Sequence, residues 1–186
     1  MSSTDTYADL VRRVEDLENA RKPTLRSGRG NVWGDNFGLA DALDMPRCYV
    51  AQAGTQSMAN GADVVQFATI SRDTDGMFST ILPTRVTIRT QGIYDVKMNV
   101  HFTAGGGGNH RQAWVRKNGG TGRFAWDQRP VNAVLGVVIG SDSITMNAGD
   151  YLEIVTEHDN GGALALAPVA GENNGAELNV TFLSTI

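Results

Sequence analysis

Aromatic and basic side chains alternate over one central stretch of the chain, and these residue types can bind a ligand. The stretch contains Arg111, Trp114, Arg116, Arg123, Phe124, Trp126 and Arg129. An aromatic face beside a cation can stack on a sugar or bind an anionic surface polymer. We therefore predict that the ligand-binding residues are Arg111, Arg123, Trp126 and Arg129. The alternative is that Trp114 fills the core and the arginines solvate a hairpin, while Trp126 fits either hypothesis equally well.

No comparable set of catalytic residues stands out, and we predict that the chain is not an enzyme. No Ser-His-Asp or Cys-His arrangement can be argued from the positions, and no serine has the context of a nucleophile elbow. A glycan-cleaving enzyme would need two carboxylates in a cleft, for which Asp127 and Glu157 are the candidates. Gly105 to Gly108 lacks the Gly-Lys-Ser/Thr ending of a phosphate loop, so we expect a displayed, flexible loop there.

Histidines and acidic turns are the candidate metal ligands, and neither group has a complete metal-binding pattern. His101, His110 and His158 are far apart in the chain, and we expect them at the surface or at a subunit interface. Asp73-Thr74-Asp75-Gly76 begins like a calcium loop, and Glu157-His158-Asp159-Asn160 is a second oxygen-rich turn. Because Asp and Asn form turns in their own right, we interpret both as turns, with a bound metal as the alternative. We predict no cofactor.

Composition and charge limit the class of protein. The chain has 186 residues, 41% of them hydrophobic, and a net charge of -4, which argues against a general nucleic-acid binder. Its single cysteine, Cys48, excludes an intrachain disulfide framework. The N-terminus does not resemble a signal peptide, and no apolar run is long enough to span a membrane. We therefore expect a protein that is made in a cytoplasm and does not insert into a membrane.

The N-terminal region has the spacing of a short coiled coil. Tyr7, Leu10, Val14 and Leu17 follow one another at intervals of three, four and three residues. We predict an oligomerising helix over residues 1–22, with an amphipathic helix packed on its own domain as the alternative. Pro23 ends the helix, and residues 23–45 are predicted to form an extended connector, either a stalk or an ordinary loop.

Strict alternation in the middle of the chain indicates a half-buried β-strand. Within Gly92 to Phe102, apolar side chains occupy one parity from Tyr94 onward, and polar or charged side chains occupy the other from Asp95 to His101. Asn-Gly, Asp-Gly and similar turn signals separate about ten short strands after residue 46, which predicts an antiparallel all-β sandwich or barrel. The predicted strands lie near 47–53, 64–70, 77–82, 84–90, 92–103, 111–117, 131–139, 150–158, 162–167 and 176–184, with weaker candidates at 122–128 and 142–147.

Some apolar residues fall on the parity opposite to the predicted core. The predicted core set of one strand is Val131, Ala133, Leu135, Val137 and Ile139. Val134, Val138 and Val155 then lie on the outer parity of their strands. Apolar residues on an outer face suggest a second buried surface, which a subunit interface would supply.

Several short segments resemble a known family. They are Val86-Thr87-Ile88, Gly92-Ile93-Tyr94-Asp95-Val96, Trp114-Val115-Arg116-Lys117-Asn118-Gly119, Val134-Leu135-Gly136, Asn147-Ala148-Gly149-Asp150-Tyr151-Leu152 and Thr181-Phe182-Leu183. Their order and spacing resemble the globular head of the first complement component, within the tumour necrosis factor superfamily. The resemblance implies a jelly roll over residues 46–186 and a homotrimer whose contacts lie on one sheet. It implies no catalytic residue.

A short coiled coil before such a jelly roll is similar to virion proteins of tailed bacteriophages. This resemblance implies a virion protein that is held on the particle through residues 1–45, which bind other virion proteins. As a minor tail or fibre protein, it would contact host polysaccharide or protein through residues 104–111 and 119–130. The first alternative is a capsid decoration protein whose N-terminal arm binds the major capsid protein. The alternative from another class is a free cytokine-like or lectin-like binding module.

Overall fold

The computed structural model describes residues 45–103, 107–131, 136–168 and 175–186, with the side chains of 136 and 137 excepted. The predicted helix over 1–22, with Tyr7, Leu10, Val14 and Leu17, lies outside these residues, as does the connector before residue 45. Within the described ranges the chain forms only β-strands as regular elements. The strands are β1 Arg47–Ala51, β2 Gln56–Met58, β3 Gly61–Val64, β4 Thr69–Asp73, β5 Val86–Thr87, β6 Gly92–Phe102, β7 His110–Lys117, β8 Phe124–Pro130, β9 Gly136–Met146, β10 Tyr151–His158, β11 Leu164–Leu166 and β12 Ala176–Ser184. In the part of the chain described, no helix has the length and apolar character needed to cross a membrane.

The first sheet is built around β6, as the alternation predicts. Tyr94, Val96 and Met98 are buried in the core, whereas Lys97 between them is exposed. Strand β6 pairs antiparallel with β12 along one edge and with β9 along the other. The strands of this sheet follow the order β2-β11-β6-β12-β1-β4, and β9 pairs with β6 outside that sequence of neighbours.

The second sheet has the order β3-β10-β7-β8, with β5 also paired to β10. Its inner face contributes Ala113 and Val115 from β7 and Leu152 and Ile154 from β10 to the same core. Two antiparallel sheets therefore enclose one hydrophobic core, which confirms the predicted β-sandwich jelly roll. Cys48 of β1 is a fully buried member of that core, opposite Val180 of β12.

The structure corrects the strand predictions in three places. Residues 65–68, in the middle of the predicted strand 64–70, lie between β3 and β4 and belong to no strand. Residues 77–82 form no strand: Phe78 makes one isolated bridge with Val86, and the chain then turns, with Leu82 N donating to Ser79 O. In β9 the predicted parity is reversed, because Val138 lies opposite Val100 and is buried. Its neighbour Ile139, predicted to be in the core, is 61% exposed.

Strand pairing at the start of β6 requires a glycine. A Cβ atom at Gly92 would overlap the ring of Phe182 and lie 2.6 Å from the Ser184 carbonyl oxygen. We expect Gly92→Ala to lower the free energy of unfolding by about 1–3 kcal/mol, as overpacking commonly does. Gly162→Ala is the control, because nothing lies within 4 Å of the position that a Cβ atom would take there. Urea unfolding of both variants tests this, and equal midpoints would contradict it.

Candidate functional site

Five side chains form a cluster on the outer face of the second sheet. This tryptophan cluster consists of Gln112, Trp114, Arg123, Trp126 and Glu157. The alternation of β7 positions it, because Ala113 and Val115 enter the core and turn Gln112 and Trp114 to the opposite face. Neighbouring strands supply other members, since β8 carries Trp126 and β10 carries Glu157.

Arg123 covers Trp114 and fixes the centre of the cluster. Its guanidinium carbon lies 4.3 Å from the centroid of the Trp114 ring, within the range of a cation–π interaction. Arg123 Nη1 donates to Gln112 Oε1 at 3.2 Å, and Nη2 lies 3.8 Å from Glu157 Oε2. Trp114 is consequently only 7% exposed although it lies outside the core, so the hypothesis that it fills the core is wrong.

Trp126 is the exposed aromatic residue of the cluster. Its Nε1 donates to the same Gln112 oxygen at 3.2 Å, yet the residue is 50% exposed. Trp126 lies in a β-bulge, since the register passes from the pair Ala113–Asp127 to the pair Val115–Phe124. Ala125 lies in this bulge with a φ of 49°, in the left-handed region that non-glycine residues rarely adopt.

The structure separates Arg111 and Arg129 from the two other predicted ligand-binding residues. The Arg111 side chain is 4% exposed, on the inner parity of β7, and donates to the carbonyl oxygens of His110 and Gly107. Burial lowers its pKa. Arg129 Nε pairs with Asp127 Oδ2 at 2.8 Å. Only Arg123 and Trp126 of the predicted set meet in the tryptophan cluster.

The two carboxylates considered for glycan cleavage lie on opposite faces of the second sheet by register. Asp127 is paired with Ala113, which faces the core. Glu157 is paired with Gln112, which belongs to the outer face. Two carboxylates must flank one scissile bond in the usual glycosidase mechanisms. The register therefore gives no support to catalysis by Asp127 and Glu157 as a pair.

Both acidic segments considered for calcium hold turns together through backbone N–H groups. Asp73 accepts from the backbone nitrogens of Asp75, Met77 and Phe78. Asp159 accepts from those of Asn109 and His110 at 2.7 and 3.1 Å, and these hydrogen bonds lower its pKa to about 2. Among the residues described, no group of three or more His, Cys, Asp or Glu side chains could hold a metal ion.

A buried ion network next to the cluster was not predicted from the sequence. Glu153 of β10 is buried on the outer face, where Arg116 Nε lies 2.8 Å and Arg85 Nε lies 3.2 Å from its carboxylate oxygens. The guanidinium of Arg85 also lies 4.1 Å from the ring centroid of Tyr151. Val155, on the same parity, pairs with Trp114 and is buried within this single chain. It therefore does not indicate a subunit interface, which corrects the sequence-based expectation.

Two of the three histidines are also more buried than predicted. His101 and His158 are both buried, so neither is a solvent-exposed surface residue in this chain. His158 Nε2 lies 3.4 Å from the Met58 carbonyl oxygen, and its ring meets that of Phe102 edge to face. Arg111 lies opposite His158 across the strands. Burial lowers the pKa of His158. The nearby Arg111 and His110 act in the same direction, whereas the Met58 carbonyl and Asp159 oppose the shift without reversing it.

Solved structures of low sequence identity share the architecture. The globular domain of zebrafish complement 1qA matches with a TM-score of 0.51 at 17% identity, covering 76% of this chain and 99% of that chain. Murine APRIL at pH 5.0 matches with 0.56 at 12% identity, covering 75% and 99%. The Eiger TNF of S. frugiperda matches with 0.58 at 9% identity, covering 76% and 94%. No protein-family model and no curated protein matches the chain. At these identities the likeness establishes the fold, and it confirms the resemblance to the complement and tumour necrosis factor jelly rolls at that level.

The environment of His158 predicts a loss of stability in acid. Because its pKa is lowered in the folded state, the unfolded chain binds a proton first as the pH falls below about 6.5. The stabilisation is therefore complete above that pH and decreases below it, by at most about 1.4 kcal/mol per pH unit. Urea unfolding at pH 7.5 and 5.5 should show a steeper decrease for the natural chain than for His158→Gln. Identical decreases would contradict this role of His158.

Proposed function

We propose that this chain is a trimeric structural protein of a tailed-bacteriophage virion. In this proposal its N-terminal region holds it on the particle, and its jelly-roll head is displayed as part of a minor tail or fibre protein that contacts the host. The proposal combines two features: the heptad spacing at the N-terminus and a sheet face suited to packing against another copy. No catalytic role is proposed.

The main support for self-association is an exposed apolar residue on the outer face of the first sheet. Ile139 is 61% exposed there and lies directly opposite Asn99 of β6. A shallow depression beside it is lined by Tyr49, Lys97, Met98, Asn99, Ile139, Glu177 and Asn179. The exposed isoleucine is the kind of apolar contact that subunit packing buries.

Asn99 adds a polar requirement to the same face. Its side-chain oxygen is inaccessible to solvent, and no donor among the described residues forms a hydrogen bond with it. A buried acceptor without a donor costs free energy, so native structures rarely leave one unmatched. A second copy that packs on this face could supply the donor and cover Ile139 at once. Three copies are favoured over two by the family resemblance.

Association through the first sheet can be tested by changing Ile139. The natural chain should have a mass in solution of three 19.9 kDa subunits. Ile139→Glu should lower that mass, because it would place a charge in a desolvated contact. Ile81→Glu is the matched control, since Ile81 is 86% exposed in a loop outside that face. Light scattering at micromolar concentration is the measurement, and a monomeric natural chain would refute the trimer.

The location on the particle needs a separate measurement. Antibody labelling of intact virions should place the chain at the tail, and removal of residues 1–22 should abolish attachment to the particle. Label spread over the head would instead support a capsid decoration protein. If no particle carries the label, the virion hypothesis fails and a free binding module remains.

A further inference from the structure

We propose that Trp126 and Arg123 form a binding site for a sugar that carries a carboxylate group. The source of that sugar rests on the proposed function: if the chain contacts the host, the sugar belongs to a cell-surface polysaccharide. The site itself is argued from three properties of the tryptophan cluster: a strained backbone that presents Trp126, a fixed ring orientation, and a partly exposed guanidinium beside it.

The backbone at Ala125, next to Trp126, adopts a conformation that a residue with a side chain disfavours. Ala125 has a φ of 49° in a strand, where an L-residue with a side chain is strained. Such strain persists only where the surroundings enforce it, and it is concentrated at functional sites. The bulge at Ala125 places the Trp126 ring at the surface. Because the residue is 50% exposed there, its indole contributes only part of the free energy that full burial would give.

Strand β9 holds the bulge in place. Gly140 approaches the Ala125 carbonyl so closely that any Cβ atom at position 140 would overlap it. Ile139 N also lies 3.4 Å from Oδ2 of Asp127, the residue that follows Trp126. These contacts come from a strand of the other sheet. The strained bulge is therefore enforced by tertiary packing and not by the local sequence of β8.

The orientation of the Trp126 ring is set by Gln112. Gln112 is buried, and its Oε1 accepts from both Trp126 Nε1 and Arg123 Nη1 at 3.2 Å. The polar group of the indole is thereby engaged within the protein, which leaves apolar carbon surface as the exposed part. A pyranose ring presents a face of C–H groups that can stack on such a surface.

Arg123 determines the charge of the expected ligand. Its guanidinium is held over Trp114, and its side chain is 45% exposed. The guanidinium has five N–H donors, and one of those on Nη1 is bonded to Gln112 Oε1. Glu157, at 3.8 Å, is beyond hydrogen-bonding distance of Nη2. A planar guanidinium can bind a carboxylate with two parallel hydrogen bonds, so a carboxylate is the complementary group.

Glu157 also argues against a nucleic acid as the ligand. A nucleic acid requires several cations along its path, whereas this cluster has one guanidinium beside an acid. No Lys or Arg follows Arg129 in the chain, so β10 adds acids rather than cations to this face. One carboxylate for each sugar-binding site fits this arrangement better.

The test compares two probes on the full chain in solution. An oligomer of galacturonic acid should bind, and a neutral galactose oligomer of equal length should bind at least tenfold more weakly, as measured by calorimetry. Trp126→Ala should weaken binding of the acidic oligomer at least tenfold, and Arg123→Gln should reduce it to the level of the neutral oligomer. Ile81→Ala, which changes an exposed apolar residue elsewhere, should bind as the natural chain does.

Three results would overturn the site: no binding of either oligomer, equal binding of both, or unchanged binding by Trp126→Ala. Urea midpoints equal to that of the natural chain would establish that the variants fold. The outcome is independent of virion labelling. Sugar binding without label on a particle would remove the virion function and keep the site, whereas label without sugar binding would remove the site alone.

Discussion

The pairing of β6 with two neighbours is the constraint on which the rest of the sandwich depends. One edge of this strand fixes the register of β12, and the other fixes that of β9. Because side chains alternate, a shift of one residue would bring Asp95 and Lys97 into the core and expel Tyr94. Strand β9 then reaches across to the bulge in β8, so the register of the first sheet also positions the aromatic site on the second.

Regular alternation made the central part of the fold predictable from the sequence. Between Tyr94 and Phe102, apolar residues alternate with polar or charged ones, so the sequence favours burial of one face. The same argument fails in β9, where Val138 and Ile139 are both apolar and alternation gives no preferred face. The pairing with Val100 decides, and that contact is more than thirty residues distant in the chain.

The candidate site was only half predictable for a related reason. The residue types that attract sugars were visible, but their exposure depends on strand register and on one bulge. Arg111 and Arg123 look alike in sequence, yet the first is buried on the inner parity of β7 and the second covers Trp114. The bulge falls on Ala125, and an alanine gives no sign of a positive φ, which glycine or asparagine usually indicates.

The buried thiol of Cys48 gives this sandwich a built-in reporter of its own opening. Burial raises the pKa of Cys48 to about 12, so at neutral pH the group is a protonated, inaccessible thiol rather than a reactive thiolate. A thiol reagent can reach it only when β1 separates from the core. The rate of alkylation at Cys48 therefore measures how often the edge formed by β1 and β4 opens, and native-state breathing becomes observable without an added probe.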